Sequence, residues 1–240
     1  MSKPEDASVR FFEGEYRARG IAAQRLYPNE ALLQFLGGNF FDLSPEARAQ
    51  TRILEVGCGS GANLWMIAKE GFAAHGIDAS AAGIEAAREH LRGKGATQAQ
   101  LAVATFDDLP YKPESFDAVC DVVSLQHVTL KEAHAALRDV YRVLKPGGCF
   151  FSFRLFDVSV MFRSGGGHFI DSATLDNIDD SRMPLANNGP VSFWSPQLAL
   201  EMYEAVGLEV ERIERHGRTY QDRAQYVEYL AITARRPEAK

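Results

Sequence analysis

A glycine-rich turn, Gly57-Cys-Gly-Ser-Gly61, is the first feature of the sequence that could do chemistry. It follows a short apolar run at residues 53–56 and precedes an amphipathic stretch at residues 63–69, so the segment has the pattern strand, tight turn, helix. Such a turn presents backbone N–H groups and the positive end of a helix dipole to electron-rich ligand atoms. The motif predicts a nucleotide-cofactor site, but alone it fits a dinucleotide as well as other adenosine cofactors.

Asp78 is the second candidate, because it ends the next apolar run, residues 72–77. It lies about 20 residues after Gly57, where a carboxylate can accept hydrogen bonds from both hydroxyls of a ribose. The competing interpretation is an N-cap for the helical segment that begins near Ser80. The spacing favours ribose binding, which any adenosine cofactor requires.

His127 is the residue best suited to proton transfer. It follows residues 116–124, a run that is apolar on both faces, as a central strand of a parallel sheet should be. A histidine titrates near neutral pH and could take a proton from a hydroxyl or ammonium group. The alternatives for His127 are capping of the following helix or a hydrogen bond to the backbone.

Strands and helices alternate around these residues. Apolar runs at 101–104 and 149–154 have strand character, and helical patterns at 81–91 and 130–144 separate them. Short connections between such elements predict right-handed crossovers and a doubly wound α/β fold, with a parallel sheet covered on both faces. Ligands of open sheets of this kind bind at the carboxyl ends of the strands, where the strand order reverses.

Four motifs within residues 52–154 resemble the class I S-adenosylmethionine-dependent methyltransferase superfamily. Glu55-x-Gly57-x-Gly59-x-Gly61 is similar to its first motif, and Gly76-Ile-Asp78-Ala-Ser80 is similar to its ribose motif. The other two are Leu109-Pro-Tyr111 with Ser115-Phe-Asp117, before the fourth strand, and the run from Val140 to Gly148, before the fifth. A nicotinamide-dependent oxidoreductase has no reason to carry the last two motifs, and no Tyr-xxx-Lys pair follows the fourth strand.

The resemblance implies a Rossmann-like methyltransferase fold with a seven-stranded, mostly parallel sheet whose final strand is antiparallel. It implies N-terminal helices and an insertion after the fifth strand. One domain would span residues 1–240, with a helical cap at 1–45 and a cofactor core at 52–154. A substrate-side insertion would occupy 155–194, and a C-terminal helix with the last strands would occupy 195–240.

The same resemblance assigns residues to S-adenosylmethionine. The glycines let the backbone approach the methionine and ribose groups, Glu55 supports the loop, Asp78 holds the ribose and Ala79 flanks the adenine. Thr105 stands where the family commonly has an aspartate that contacts the adenine amine, so adenine recognition falls on the two residues after it. Val122 either meets the methionine end or is an ordinary core valine. The full cofactor set is Tyr16, Glu55, Gly57, Cys58, Gly59, Gly61, Asp78, Ala79, Thr105, Phe106, Asp107 and Val122.

The resemblance also implies that the N-terminal helices and the insertion cover the acceptor. His127 is the predicted catalytic residue, and Tyr27, Arg154 and His168 are the predicted substrate-binding residues. The alternatives are an ion pair with Asp157 for Arg154 and an exposed loop position for His168. The aromatic and methionine side chains that could form a roof, or belong to the ordinary core, are Phe11, Phe12, Tyr16, Met161, Phe162 and Trp194. The expected reaction transfers a methyl group to O or N of a small-molecule acceptor such as a sugar.

Composition and charge argue against several other classes of function. The chain has 240 residues and a net charge of −6 with both signs mixed along it, which argues against a nucleic-acid partner. No apolar run could span a membrane and the first residues lack a secretory signal, so a cytoplasmic protein is expected. The three cysteines and six histidines show no metal-ligand spacing, so no metal site is predicted. The oligomeric state stays open, as do two alternative functions: a non-catalytic cofactor-binding protein of the same fold and an NAD(P)-dependent oxidoreductase.

Overall fold

A computed structural model describes residues 7–238. The strands, numbered along the chain, are β1 (Arg52–Val56), β2 (Ala73–Asp78), β3 (Gln100–Val103), β4 (Phe116–Val122), β5 (Leu144–Leu155), β6 (Thr174–Leu175), β7 (Val191–Ser192), β8 (Glu209–Tyr220) and β9 (Gln225–Arg235). Seven of them form one sheet in the order β3-β2-β1-β4-β5-β9-β8, and β6 pairs separately with β7. The predicted doubly wound α/β fold with a seven-stranded sheet is confirmed.

The helices cover both faces of this sheet. They are α1 (Ala7–Arg19), α2 (Glu30–Phe40), α3 (Pro45–Gln50), α4 (Leu64–Lys69), α5 (Ala81–Lys94), α6 (Leu130–Val143), α7 (Val160–Ser164) and α8 (Pro196–Glu204). Two short 3₁₀ helices, Gly20–Ala23 and Leu125–His127, complete the set. The N-terminal helices α1 and α2 are separate, and Asn29 caps α2 by accepting hydrogen bonds from the backbone N–H groups of Ala31 and Leu32.

Strand directions agree with the expectation from the sequence. The neighbouring strands from β3 to β5 run parallel, whereas β9 is antiparallel to both β5 and β8. Two features were not predicted. The sixth strand of the main sheet, β8, is 12 residues long and reaches Tyr220, and the insertion contains the small β6–β7 pair.

The order of the strands creates the crevice that holds the site. β1 pairs with β2 on one side and with β4 on the other, so the chain turns in opposite directions from β1. The loops that follow β1, β2 and β4 therefore open onto the same edge of the sheet. The glycine loop after β1 and the ribose motif at the end of β2 meet there with the turn after β4.

Packing on each face fixes the helices that carry the site. Apolar side chains of α6, including Ala133, Leu137 and Val140, are buried against one face of the sheet. On the other face, Phe35 of α2 stacks on Phe151 of β5 with ring centroids 4.9 Å apart. Burial of a leucine, valine or phenylalanine side chain contributes roughly 1.5–3 kcal/mol, so this packing holds α6 and α2 on the sheet.

We expect His75 on β2 to make the stability of this core fall at acidic pH. Its ring is buried edge-on against Tyr111 and Phe116, and burial lowers the pKa of His75 to about 4. Because the unfolded chain binds this proton near pH 6.5, stability should fall as pH falls from about 6.5 towards 4. Replacing His75 by phenylalanine should remove this component, so that the variant gains roughly 1–2 kcal/mol over the wild type at pH 5 compared with pH 7.5. Urea unfolding at both pH values measures the difference, and an equal offset at both would contradict it.

Residues 1–6 and 239–240 lie outside the described part of the chain, and with them the sequence argument about a secretory signal. Within residues 7–238, no helix combines the length and the hydropathy needed to cross a membrane.

Candidate active site

The loop after β1 is shaped by glycines that no other residue could replace without strain. Gly57 has φ +69° and Gly59 has φ +50°, in the left-handed region that favours glycine. A Cβ atom at Gly57 would collide with Ser124, and one at Gly59 would collide with Gln24 and Tyr16. The loop is therefore enclosed on two sides by side chains from α1 with its 3₁₀ extension and from the segment after β4.

Asp78 ties this loop to the end of β2. One carboxylate oxygen accepts a hydrogen bond from the backbone N–H of Gly59 at 2.8 Å, and the other accepts one from Ser80 at 2.9 Å. Ser80, and not Asp78, is the N-cap of α5, because its hydroxyl accepts the N–H of Gly83. Each carboxylate oxygen has a second acceptor position, so Asp78 can still bind two ligand hydroxyls.

Helix α1 lies across the loop and is anchored to α5. One carboxylate oxygen of Glu13 accepts hydrogen bonds from the Ser80 hydroxyl at 2.6 Å and from the Ala82 N–H at 3.1 Å. These hydrogen bonds lower the pKa of Glu13. The ring of Tyr16 is buried, and a Cβ atom at Gly83 would be only 3.0 Å from it. The N-terminal helix is thus a wall of the site.

Two adjoining cavities lie between α1 and the carboxyl ends of the strands. The first, the adenosine-side cavity, has a volume of about 460 Å³ and is lined by Asp78, Ala79, Thr105, Phe106 and Asp107. The second, the acceptor-side cavity, has a volume of about 350 Å³ and is lined by Glu55, Cys58, Ala62, Val122 and residues of the N-terminal segment and insertion. They share seven lining residues and form one cleft: Phe12, Tyr16, Gln24, Gly57, Val123, Ser124 and His127.

Glu55 is the buried carboxyl group of the acceptor-side cavity. Asn63 donates a hydrogen bond to its Oε1, whereas Oε2 is buried and has no partner among the described residues. Burial raises the pKa of Glu55 to about 8, against the lowering influence of Asn63 and Arg25. A cationic group bound in this cavity would favour the ionised form of Glu55.

Binding of S-adenosylmethionine, the cofactor that the sequence resemblance implies, should therefore release a proton from Glu55. Below pH 8 the free enzyme holds the carboxyl mostly protonated, so affinity should rise with pH, by up to about tenfold per pH unit, until Glu55 is ionised in the free enzyme. Calorimetric titration at pH 6 to 9, in two buffers with different ionisation enthalpies, measures both the affinity and the protons released. Glu55→Gln should lose this component of the slope and of the proton release. An unchanged pH profile in that variant would assign the proton to another group.

His127 lies on the 3₁₀ turn Leu125–His127 directly after β4 and lines both cavities. Its ring packs edge-on against Phe12 at 5.1 Å, and its Nε2 is 3.4 Å from the side-chain nitrogen of Gln126. Burial lowers the pKa of His127 to about 4, although the Pro190 carbonyl favours a protonated ring nitrogen. The ring is consequently neutral near pH 7.

The structure excludes one alternative role for His127, that of a cap for the following helix. Thr129 caps α6 through a capping box with Glu132, and Asp171 of the insertion accepts the N–H of Leu130. His127 is not needed as a helix cap. Its side chain is left facing the cleft, with Nδ1 making no hydrogen bond to a described residue.

Most of the predicted cofactor residues come together in the cleft. Ten of them line one or both cavities: Tyr16, Glu55, Gly57, Cys58, Asp78, Ala79, Thr105, Phe106, Asp107 and Val122. Gly59 and Gly61 lie in the loop beneath them and permit its left-handed turns. The six side chains predicted to form either a roof or the ordinary core fall into two groups. Phe11, Phe12 and Tyr16 line the cleft. Met161, Phe162 and Trp194 belong to packed apolar clusters.

The three predicted substrate residues do not line the cleft. Tyr27 is 65% exposed and packs against Trp65, with the ammonium group of Lys94 4.7 Å above its ring. The side chain of His168 is 80% exposed and is 3.0 Å from Asp176. Arg154 is fully buried beneath the site, because its side chain stacks on Trp194 and turns into the sheet–helix interface.

Several residues of the cleft were missed by sequence reasoning. They are Gln24, Arg25, Val123, Gln126, Leu185 and Asn188, all of which line one or both cavities. Val123 has φ +59°, a conformation that is unusual for a β-branched residue and that is typically found at functional sites. No pattern in the sequence signals these positions, since they belong to irregular segments. Among residues 7–238, no group of three or more metal-ligating side chains is found.

Comparisons with known proteins agree with this geometry. A family model described as a methyltransferase domain matches residues 53–148. A ubiquinone biosynthesis O-methyltransferase from Pseudomonas savastanoi is 26% identical over 189 residues, covering 78% of this chain and 79% of the relative. A demethylmenaquinone methyltransferase from Tropheryma whipplei is 37% identical over 100 residues, which are 42% of this chain and only 40% of that relative's length. The solved structure of an S-adenosylmethionine-dependent methyltransferase from Methanosarcina mazei has a TM-score of 0.68 at 20% identity, and the match covers 82% of this chain and 99% of that one.

The family match covers the glycine loop, Asp78 and β4, and the fold match extends to the flanking elements. These findings favour a methyl donor over a nicotinamide cofactor and an enzyme over a non-catalytic binding protein. With the cleft at the carboxyl ends of β1, β2 and β4, they identify the chain as a class I S-adenosylmethionine-dependent methyltransferase.

Proposed function

We propose that the enzyme methylates a hydroxyl oxygen of a small, mainly apolar aromatic molecule, and that His127 orients this hydroxyl and accepts its proton. The observation that carries the proposal is the position of His127. It is a neutral, buried imidazole that borders both cavities of the cleft. Because the ring is neutral near pH 7 and lies at the junction between donor and acceptor, it can accept a proton from a bound hydroxyl.

The cleft fits the cofactor. Asp78 would accept the ribose hydroxyls, and the residues after β2 and β3 would surround the adenine. The unpartnered Oε2 of Glu55 and the nearby Arg25 offer one acidic and one basic group, which suit the ammonium and carboxylate of the methionine end. When bound, S-adenosylmethionine supplies an electrophilic methyl group on a positively charged sulfur.

The residues of the chain then have two tasks, positioning and proton transfer. Methyl transfer needs the acceptor oxygen in line with the methyl group and about 3 Å from it, in a cleft that excludes water. The Pro190 carbonyl favours protonation of one ring nitrogen, so the other nitrogen of the neutral His127 ring carries a lone pair. That nitrogen would take the hydroxyl proton as the new O–C bond forms.

The walls of the acceptor-side cavity other than Glu55 and Arg25, which would hold the methionine end, indicate the class of acceptor. Phe11, Phe12 and Leu185 provide apolar surface, and Gln126 and Asn188 provide amide groups. An aromatic ring with hydroxyl groups matches this mixture, because its faces pack on apolar side chains and its edge forms hydrogen bonds. The name of the O-methyltransferase from ubiquinone biosynthesis supports the same class of acceptor. Leu185 and Asn188 come from the insertion at 155–194, which we propose covers the acceptor.

Transfer of a labelled methyl group to a matched panel of acceptors tests the proposal. The panel contains catechols and simple phenols, the same rings with every hydroxyl already methylated, aromatic and aliphatic amines, and free sugars. Label on the phenolic compounds alone is expected. Transfer confined to the amines, to the sugars or to ring carbon of the fully methylated compounds would contradict an oxygen acceptor of this class.

A further inference from the structure

A fully buried polar network lies beneath the turn that carries His127. Its charged members are Asp121 on β4 and Arg154 on β5, neither of which has any exposed surface. Neither residue lines the cleft, so the proposed reaction does not use them directly. Charged groups are rarely buried without a specific role, since removal from water destabilises them strongly.

Asp121 holds the start of the turn. Its Oδ1 accepts hydrogen bonds from the backbone N–H groups of Ser124 at 3.0 Å and Leu125 at 2.9 Å. Its Oδ2 accepts a hydrogen bond from the Ser152 hydroxyl at 2.7 Å, across the β4–β5 pair. The first residues of the turn are thereby attached to two central strands.

Arg154 holds the other side of the turn through the insertion. Its guanidinium stacks on Trp194, and its Nη2 donates a hydrogen bond to the Ser192 hydroxyl at 3.0 Å. The same hydroxyl donates to the backbone carbonyl of Gln126 at 3.2 Å. Ser192 therefore joins the buried guanidinium to the residue immediately before His127.

The network is poorly explained as a source of stability. Nε and Nη1 of Arg154 and Nε1 of Trp194 are buried without hydrogen-bond partners among the described residues. An apolar cluster of the same volume would avoid these unsatisfied groups and is often at least as stable as a buried ionic network. What an apolar cluster could not do is fix the backbone of the turn from both sides.

We propose that Asp121, Arg154 and Ser192 are positioning residues that clamp the Leu125–His127 turn, and that the Arg154–Ser192 link ties the orientation of His127 to the insertion. Their positioning role rests on the function proposed for His127. The clamp explains why Arg154 ends β5 at the rim of the site and yet does not face the acceptor. It also connects the segment that covers the acceptor to the residue that would take its proton.

Nuclear magnetic resonance of the full-length protein with ¹⁵N-labelled histidine tests the clamp without any acceptor. The His127 signal is identified by its loss in His127→Asn. In Ser192→Ala, the pKa of His127 should move from about 4 towards 6.5 as the turn loosens and water reaches the ring. Amide hydrogen exchange at Leu125–His127 should become at least about tenfold faster. Arg154→Met should have the same two effects if it folds, and Ser192→Ala decides the question if it does not.

Ser159→Ala is the matched control. Ser159 is also fully buried in the segment after β5, and its hydroxyl donates to the Glu228 carbonyl at 3.0 Å, away from the turn. This variant should leave the His127 titration and the local exchange unchanged. A wild-type His127 signal in Ser192→Ala, or equal changes in both variants, would overturn the clamp. Failure of His127 as a base would instead appear as unchanged turnover in His127→Asn, so the two proposals fail separately.

Discussion

Turnover should fall by about 10²–10⁴-fold when His127 is replaced by asparagine, while binding of S-adenosylhomocysteine stays within about twofold of the wild type. Asparagine retains hydrogen-bonding groups but cannot accept a proton from the acceptor. Since the wild-type imidazole is neutral above a pH of about 4, kcat at saturating cofactor should also be flat between about pH 5 and 7. Single-turnover methyl transfer to the phenolic acceptor identified in the panel measures both effects.

His134→Asn provides the control for this variant. His134 lies on α6 and lines neither cavity, so the same change of side chain there should leave turnover unaltered. If His127→Asn transferred the methyl group as fast as the wild type, the acceptor hydroxyl would lose its proton to solvent or to another residue, and His127 would serve only to pack against Phe12.

The second large effect is expected at Asp78. Alanine at this position removes the carboxylate that we propose accepts two hydrogen bonds from the ribose, and charge-assisted bonds of this kind contribute about 1.5–3 kcal/mol. Affinity for S-adenosylhomocysteine should therefore fall by roughly 10- to 150-fold, as measured by calorimetric titration. Asp78→Asn keeps one acceptor oxygen, so its affinity for S-adenosylhomocysteine should lie between those of Asp78→Ala and the wild type.

Asp117→Ala is the matched control, because it too removes a carboxylate that accepts a hydrogen bond from a backbone N–H group. Asp117 accepts the backbone N–H of Arg52 at 2.8 Å, at the opposite end of β1 from the glycine loop. Its replacement should lower stability without changing cofactor affinity. Equal affinities in Asp78→Ala and wild type would mean that the ribose is held by other groups of the cleft.

Local patterns were enough to predict the elements and the cofactor side of the cleft. An apolar run marks a buried strand wherever it lies, and alternation with amphipathic helices leaves few topologies. Residues that directly follow parallel strands meet at one edge of the sheet, so Asp78, Thr105 and Phe106 could be placed together without knowing the packing. The same reasoning located His127, one turn beyond β4.

The acceptor side depended on tertiary structure. The sequence placed Arg154 at the end of a strand, at the rim of the site, but it did not show that the side chain turns inward to Trp194. Nor did it show that Tyr27 packs outward on Trp65. Gln24 and Asn188 reach the cleft from irregular segments that are distant in sequence. Hydrophobic periodicity reports which face of an element is buried, but not which other segment covers it.

The sequence by itself thus determined the sheet and the glycine loop, because each depends on contacts between neighbouring residues or consecutive elements. The cofactor class followed from the resemblance of four motifs to a known family. Only the tertiary structure decided that α1 closes over the loop and that Glu55 retains an unpartnered oxygen. It also decided that the pKa of His127 is lowered, since burial in the cleft disfavours the charged ring. Long-range packing sets the solvation of a titratable group, and no local pattern encodes it.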